Sequence, residues 1–112
     1  MSGARLPTHV EASALLRRLA STGDFGTVLR KGDPDRGSLL LLISSRGVDI
    51  ALLERVLDIS GDYVWQRRDH DSTGTEVPAF LEKRARFDAD AWVLELDIAD
   101  PERFIAETIA SG

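Results

Sequence analysis

An uninterrupted apolar run, Leu39-Leu-Leu-Leu-Ile43, lies near the middle of the sequence. Successive side chains of a β-strand point to opposite faces of a sheet, so a strand that is apolar at every position has both of its faces covered. This pattern is typical of a central strand. The run therefore predicts a sheet that is built around residues 39–43 and covered on both sides.

Further strands are predicted before and after this run. Phe25 to Lys31 has the composition of a strand, and the turn residues of Gly32-Asp-Pro-Asp-Arg-Gly37 predict a hairpin between it and the central strand. Ile50 to Leu57 and Tyr63 to Arg68 predict a third and a fourth strand. Four consecutive strands that are joined by turns indicate an antiparallel meander.

The residues before the sheet predict a helix. Thr8 and Glu11 have the spacing of a capping box, so the helix is expected to begin near His9, and Gly23 supplies its end. Apolar residues recur between them at helical spacing and give the helix one face that can pack on the sheet.

The residues after the meander predict two more helices and one more strand. Asp69 to Thr75 is entirely polar or glycine and predicts an exposed loop, with Thr75 as the cap of a helix over Val77 to Phe87. Trp92 to Ile98 predicts a fifth strand with one wetter face, and Pro101 to Ala110 predicts a final helix. If the fifth strand returns to lie beside the first, every neighbouring pair of strands is antiparallel.

The fold class that follows is α+β, with a five-stranded, mostly antiparallel sheet and three helices in the order α-β-β-β-β-α-β-α. The sheet is expected to be a meander of four strands plus one returning strand. Residues 1–112 are expected to form a single domain, with a core over about 6–98 and a C-terminal helix over about 101–110. Either a helix or a second copy of the chain is expected on the second face of the sheet, and we favour a homodimer.

The amino-acid composition limits the classes of function that the chain can have. The chain has 112 residues, of which 43% are hydrophobic and 29% are charged, as in ordinary folded domains. It contains no cysteine, which excludes disulfides and thiolate chemistry, and it has neither an apolar leader nor a long apolar segment. A net charge of −5 argues against general nucleic-acid binding. We therefore expect a cytoplasmic protein without a membrane partner and without a cofactor.

Several short segments look familiar together: Ala14-Leu-Leu-Arg-Arg18, Gly32-Asp-Pro-Asp-Arg-Gly37, Trp65 with Arg67, and Asp88-Ala-Asp-Ala-Trp-Val-Leu-Glu95. In this order they resemble a small alphaproteobacterial family, domain of unknown function 1491, from about residue 5 to residue 97. The resemblance implies one compact intracellular bacterial domain. It brings no established activity, substrate or catalytic residue.

One group of basic residues is a candidate anion-binding site, because arginine donates paired hydrogen bonds to phosphate or carboxylate groups. Its members lie at the end of the fourth strand and on the helix that follows: Arg67, Arg68, Lys83, Arg84 and Arg86. The alternative is a solvated face in which Glu82 and Asp88 neutralise the arginines.

Other candidates are weaker. Asp69-His70-Asp71, with His9 as the other imidazole, invites a metal or acid-base site, although consecutive loop residues rarely converge on one ion. Glu95 and Asp97 share one strand face and could pair as carboxylates or simply be solvated. Trp65 and Trp92, the two tryptophans of the chain, could stack on a base, although packing is the usual role.

Two functions from different classes follow from these observations. The first is a noncatalytic binding or interaction module, for a protein partner or an anionic ligand, that has no catalytic residue and no metal and is dimeric. The alternative is a small enzyme that uses carboxylates or His70 at a subunit interface.

Overall fold

The computed structural model describes residues 6–68 and 77–111. The described chain contains three helices and five strands in the expected order, which are α1 (Thr8–Ser21), β1 (Phe25–Arg30), β2 (Leu39–Ser45), β3 (Val48–Leu57), β4 (Tyr63–Arg67), α2 (Val77–Phe87), β5 (Trp92–Asp97) and α3 (Pro101–Ser111). The α+β class and the mostly antiparallel sheet are confirmed. The proposed loop over 69–75 and the Thr75 cap lie outside the described residues.

The order of strands in the sheet is β1-β5-β2-β3-β4. The fifth strand does lie antiparallel to the first, but it also inserts beside β2 and runs parallel to it. Two predictions were therefore wrong: β1 and β2 do not form a hairpin, and not every neighbouring pair is antiparallel. The meander is limited to β2, β3 and β4.

The connection between β1 and β2 explains this difference. Residues 31–38 separate the two strands, which is enough chain to cross the roughly 10 Å occupied by an intervening strand. The inserted strand suits a central position, because Trp92, Val93 and Leu94 are buried in succession and side chains of both parities need cover.

Helices cover both faces of the sheet. One face carries the larger apolar core, in which Leu41 and Ile43 of β2 pack with residues of α1 and α3. On the other face, Leu40 and Leu42 pack with Val77 of α2. The prediction that the apolar run is a central strand covered on both sides is confirmed, and α2 supplies the cover of the second face.

The start of α1 differs from the expected capping box. Thr8 lies within the helix, fully buried, and its Oγ1 donates a hydrogen bond to the carbonyl oxygen of Gly37 at 2.8 Å. Pro7 takes the N-cap position without a side-chain cap, and Glu11 instead forms an ion pair with Arg55. The two side chains that suggested a box thus hold α1 to other parts of the fold. At the other end, Gly23 has a φ of 85°, which confirms it as the residue that ends the helix.

Among the described residues, none of the helices is long and apolar enough to span a membrane.

Candidate functional site

A carboxylate is buried beneath α2. Glu54 of β3 is 6% exposed, and its two oxygens accept hydrogen bonds from Nε of Arg68 at 2.9 Å and from Nη1 of Arg84 at 2.6 Å. Arg68 directly follows β4, and Arg84 lies on α2. These three side chains form the Glu54 cluster, which ties a strand end and a helix to the sheet.

Alternation along β3 puts this carboxylate on the α2 side, because Glu54 has the same parity as the buried Leu52. Burial alone would raise the pKa of the Glu54 carboxyl, but hydrogen bonds from Arg84 and Arg68 outweigh burial and hold the pKa below its ordinary value. The same contact raises the pKa of Arg84, and the nearby Asp88 raises it further. Glu54 and Arg84 are therefore both ionised at neutral pH.

The structure brings together only two of the five residues in the predicted basic set. Arg68 and Arg84 meet at Glu54, whereas Arg67 lies on the opposite face of β4, 3.7 Å from Glu102 of α3. Consecutive strand residues point to opposite faces, so Arg67 and Arg68 could not have shared one surface. The alternation that defines the strand could have shown this from the sequence.

The other two members of the set lie on α2. Nη2 of Arg86 lies 3.2 Å from Oε1 of Glu82, one turn earlier on the helix, as the neutralised alternative expected. Lys83 is exposed. All four arginines in the set thus contact carboxylates, and these belong to three different glutamates. Binding of an anion by this set stays a prediction.

A second ionic contact lies on the opposite face of β3. Arg55 follows Glu54 and points towards α1, where it forms an ion pair with Glu11. Its guanidinium carbon also lies 5.4 Å from the ring centroid of Tyr63 and 5.8 Å from that of Trp65, both on β4. Sequence reasoning did not identify Glu11, Glu54 or Arg55 in these roles. A charged pair inside a predicted strand was the available signal.

Two loops are joined by hydrogen bonds at the end of the sheet where β2 and β5 begin. The backbone N–H of Asp33 donates to the carbonyl oxygen of Asp90 at 3.0 Å, and Nε1 of Trp92 donates to the carbonyl oxygen of Asp33 at 2.7 Å. A Cβ atom added to Gly32 or Gly37 would lie 2.0 Å from that Asp90 oxygen, so only glycine fits. The backbone N–H groups three and two residues further along also donate to Oδ1 of Asp33 and lower the pKa of its carboxyl. The role of Trp92 is therefore structural.

Of the remaining sequence candidates, His9, Glu95 and Asp97 lie among the described residues. Nδ1 of His9 lies 3.0 Å from the carbonyl oxygen of Pro34, and Asp69-His70-Asp71 lies outside the described residues. Glu95 is half-buried and Asp97 is exposed on the wetter face of β5, as expected.

A groove runs between the end of α1 and the beginning of α3. It has a volume of about 610 Å³, within the usual range for ligand sites. Its floor includes Leu19, which is 3% exposed, and Ile98, which is 2% exposed, and the half-buried ring of Phe104 lines one wall. The sequence could not predict this groove, because it depends on how two helices that are far apart in the chain pack on one face.

The rim of the groove carries more acidic than basic groups. Asp24 and Asp100 accept hydrogen bonds from backbone N–H groups. Because these donors are uncharged, they do not cancel the negative charges of the two carboxylates. Arg103 and Glu107 pair at 3.2 Å along α3, and Arg18 is exposed on α1. The groove therefore combines an apolar floor with a rim of three acids and two bases.

Comparison with known proteins places the chain in a family. The sequence profile described as a protein of unknown function, DUF1491, matches residues 6–106. The chain belongs to the DUF1491 family. The matched residues include the first half of α3, so they extend beyond the residue 97 that the resemblance reached.

Solved structures of DUF1491 proteins have the same fold. A crystal structure of a family member from Caulobacter crescentus CB15 is 31% identical, with a TM-score of 0.77 over 87% of this chain and 92% of that chain. An NMR structure of a family member from the same organism is 32% identical, with a TM-score of 0.75 over 86% and 88% of the two chains. A solution structure of protein Atu0922 from A. tumefaciens is 27% identical, with a TM-score of 0.72 over 87% and 89%. No curated protein matches the chain.

Proposed function

We propose that this DUF1491 protein is a noncatalytic interaction module, and that the groove between α1 and α3 binds an amphipathic segment of a protein partner. The observation that carries this proposal is the pairing of an apolar floor, Leu19 and Ile98, with an acid-rich rim. Grooves between helices accept amphipathic helices through a row of apolar anchors. The partner segment would therefore place apolar side chains on the floor.

Charge favours a basic partner. Asp24, Asp100 and Glu107 outnumber Arg18 and Arg103 on the rim, and the whole chain carries a net charge of −5. Complementary charge speeds encounter and selects partners. A segment with lysine or arginine beside its apolar anchors matches both properties of the groove.

The Glu54 cluster is a less suitable place for a ligand. Its carboxylate already accepts hydrogen bonds from both Arg68 and Arg84, so an anion that approached the guanidinium groups would have to compete with Glu54. The function that we propose therefore uses the groove rather than the basic set.

The test uses a synthetic helical peptide of about 14 residues, roughly four turns, with leucines on one face and lysines on the other. We expect its titration to shift the backbone amide NMR signals of residues 18–24 and 98–108 selectively, and added salt should weaken binding. A peptide of the same length with glutamate in place of lysine should bind much more weakly. Shifts that are spread over the whole surface, or equal binding of both peptides, would contradict the proposal.

A matched pair of variants tests the location. Glu107→Lys reverses a rim charge, whereas Glu82→Lys makes the same change on α2; both glutamates are exposed and both pair with an arginine one turn away. We expect Glu107→Lys to weaken binding of the lysine peptide roughly three- to tenfold, which corresponds to about 1 kcal/mol, and Glu82→Lys to have little effect. Equal loss in both variants would show that net charge, rather than the groove, attracts the peptide.

A further inference from the structure

The outer edge of β1 is a second candidate binding surface. β1 is a terminal strand of the sheet, so its outer backbone groups face no other strand of the described chain. Such an edge is a template for pairing with another strand. Exposed and half-buried residues alternate along β1, and the exposed residues are Phe25, Thr27 and Leu29.

The side chains of this edge are unusually apolar for an exposed strand. Phe25 is 73% exposed and Leu29 is 50% exposed, and Thr27 between them is uncharged. The charged side chain within the strand, Arg30, points inwards and donates to the carbonyl oxygens of Asp88 and Ala91. Edge strands are commonly protected by outward-facing charges, and β1 has none.

The edge is also complementary to itself. When two copies of a strand pair antiparallel about a two-fold axis, residues at equal distances on either side of the axis lie opposite each other. An axis at Thr27 would place Phe25 opposite Leu29 of the other copy. It would also bring Asp24, just before the strand, near the exposed Lys31 at the far end of its copy. Apolar side chains then meet apolar ones, and acid meets base.

From this self-complementarity we propose that β1 pairs with β1 of a second copy about a two-fold axis through Thr27, which joins two five-stranded sheets into one. A bulge between Val28 and Arg30 interrupts the regular edge, so backbone pairing is limited to the residues next to Thr27, Phe25 and Leu29 meet through their side chains, and the association is weak. The strand at the other end of the sheet, β4, is less suited, because all but one of its side chains are half-buried rather than exposed.

The first test is sedimentation of the full chain over a range of concentrations. We expect the average mass to rise from one chain towards two as the concentration approaches roughly 1 mM. The amide NMR signals of residues 24–30 should change with the same dependence. A chain that remains monomeric at that concentration overturns the proposal.

Charge substitution at the axis tests the register. Thr27 is exposed, so Thr27→Lys and Thr27→Glu should each fold, but in each variant two like charges would face each other across the axis. We expect each variant alone to remain monomeric and their equimolar mixture to recover the dimer mass. A folding defect could not produce that recovery.

A control variant separates the edge from a general effect of charge. Val48→Lys adds the same charge at an exposed strand residue, 60% exposed, on β3. It should associate as the unaltered chain does. If Thr27→Lys associates as strongly as Val48→Lys, or if the Lys and Glu variants fail to associate when mixed, the two-fold contact at Thr27 is wrong.

Discussion

Two consecutive residues of β3 tie the sheet to helices on opposite sides, and they do so differently. Glu54 points to the α2 side and accepts hydrogen bonds from two arginines at 2.9 Å and 2.6 Å. Arg55 points to the α1 side, where one carboxylate and the rings of Tyr63 and Trp65 surround its guanidinium. One strand thus supplies opposite charges to the two layers of helices that cover it.

The difference follows from the length of the two side chains. A glutamate on a central strand is too short to reach water past a covering helix, so its charge needs partners in place, and both arginines come to it. An arginine can lay its apolar stem against aromatic rings and keep its charged end near the margin of the core. The contact of β3 with the α2 side therefore includes a buried charge with its partners in place, whereas its contact with the α1 side combines an ion pair with packing against aromatic rings.

The largest expected effect in this comparison comes from Glu54→Gln. The amide keeps the shape of the side chain but removes the charge that faces two guanidinium groups. We expect the free energy of unfolding in urea at pH 7 to fall by about 2 kcal/mol, less than for a fully buried pair because both arginines are partly exposed.

The matched control is Glu82→Gln, in which the lost partner is an exposed arginine of the same helix. That variant should change the free energy of unfolding by less than about 0.5 kcal/mol. Equal effects in the two variants would mean that the Glu54 cluster adds no more stability than a surface ion pair.

A smaller effect is expected from Arg55→Met. Methionine keeps the apolar length that packs beside Trp65 and removes the interactions of the guanidinium with Glu11 and with the rings. The expected loss in the free energy of unfolding is about 1 kcal/mol, measured in the same urea titration. A loss as large as that of Glu54→Gln would remove the contrast between the two sides of β3.

Much of the fold could be predicted from local patterns. The apolar run at 39–43 identified a central strand, and the residues that begin or end helices, such as Gly23 and Pro101, marked element ends within a residue or two. The neighbours of β5 could not be predicted in full, because its pairing with β2 joins strands that are far apart in the sequence. Periodicity shows that a strand needs cover on both faces, but it does not show which strands lie beside it.

The candidate site was less predictable than the fold. Arg68 and Arg84 meet in the structure, but their shared partner, Glu54, was overlooked inside a strand that was assigned for its apolar residues. Thr8 was assigned to a cap by its spacing from Glu11, although its hydroxyl bonds to a carbonyl 29 residues away. Local motifs fail where a polar side chain is used for a distant contact, because spacing along the chain carries no information about that contact.

The smallest effect expected is a change in acid sensitivity. The pKa of Glu54 is lower in the folded chain than in the unfolded chain, so its contribution to stability is complete above the ordinary glutamate pKa of about 4.3 and is lost as the pH falls through the folded value. Glu54→Gln should therefore lose less stability between neutral and acidic pH than the unaltered chain. Asp33 and Asp58 also have lowered pKa values and remain in the variant, so most of the acid dependence should persist.

Arg55→Met leaves the Glu54 cluster intact and should keep the part of the acid loss that Glu54 carries. Urea titrations at several pH values below 5 measure all three chains, and identical acid dependence in the Glu54→Gln and unaltered chains would contradict the assignment.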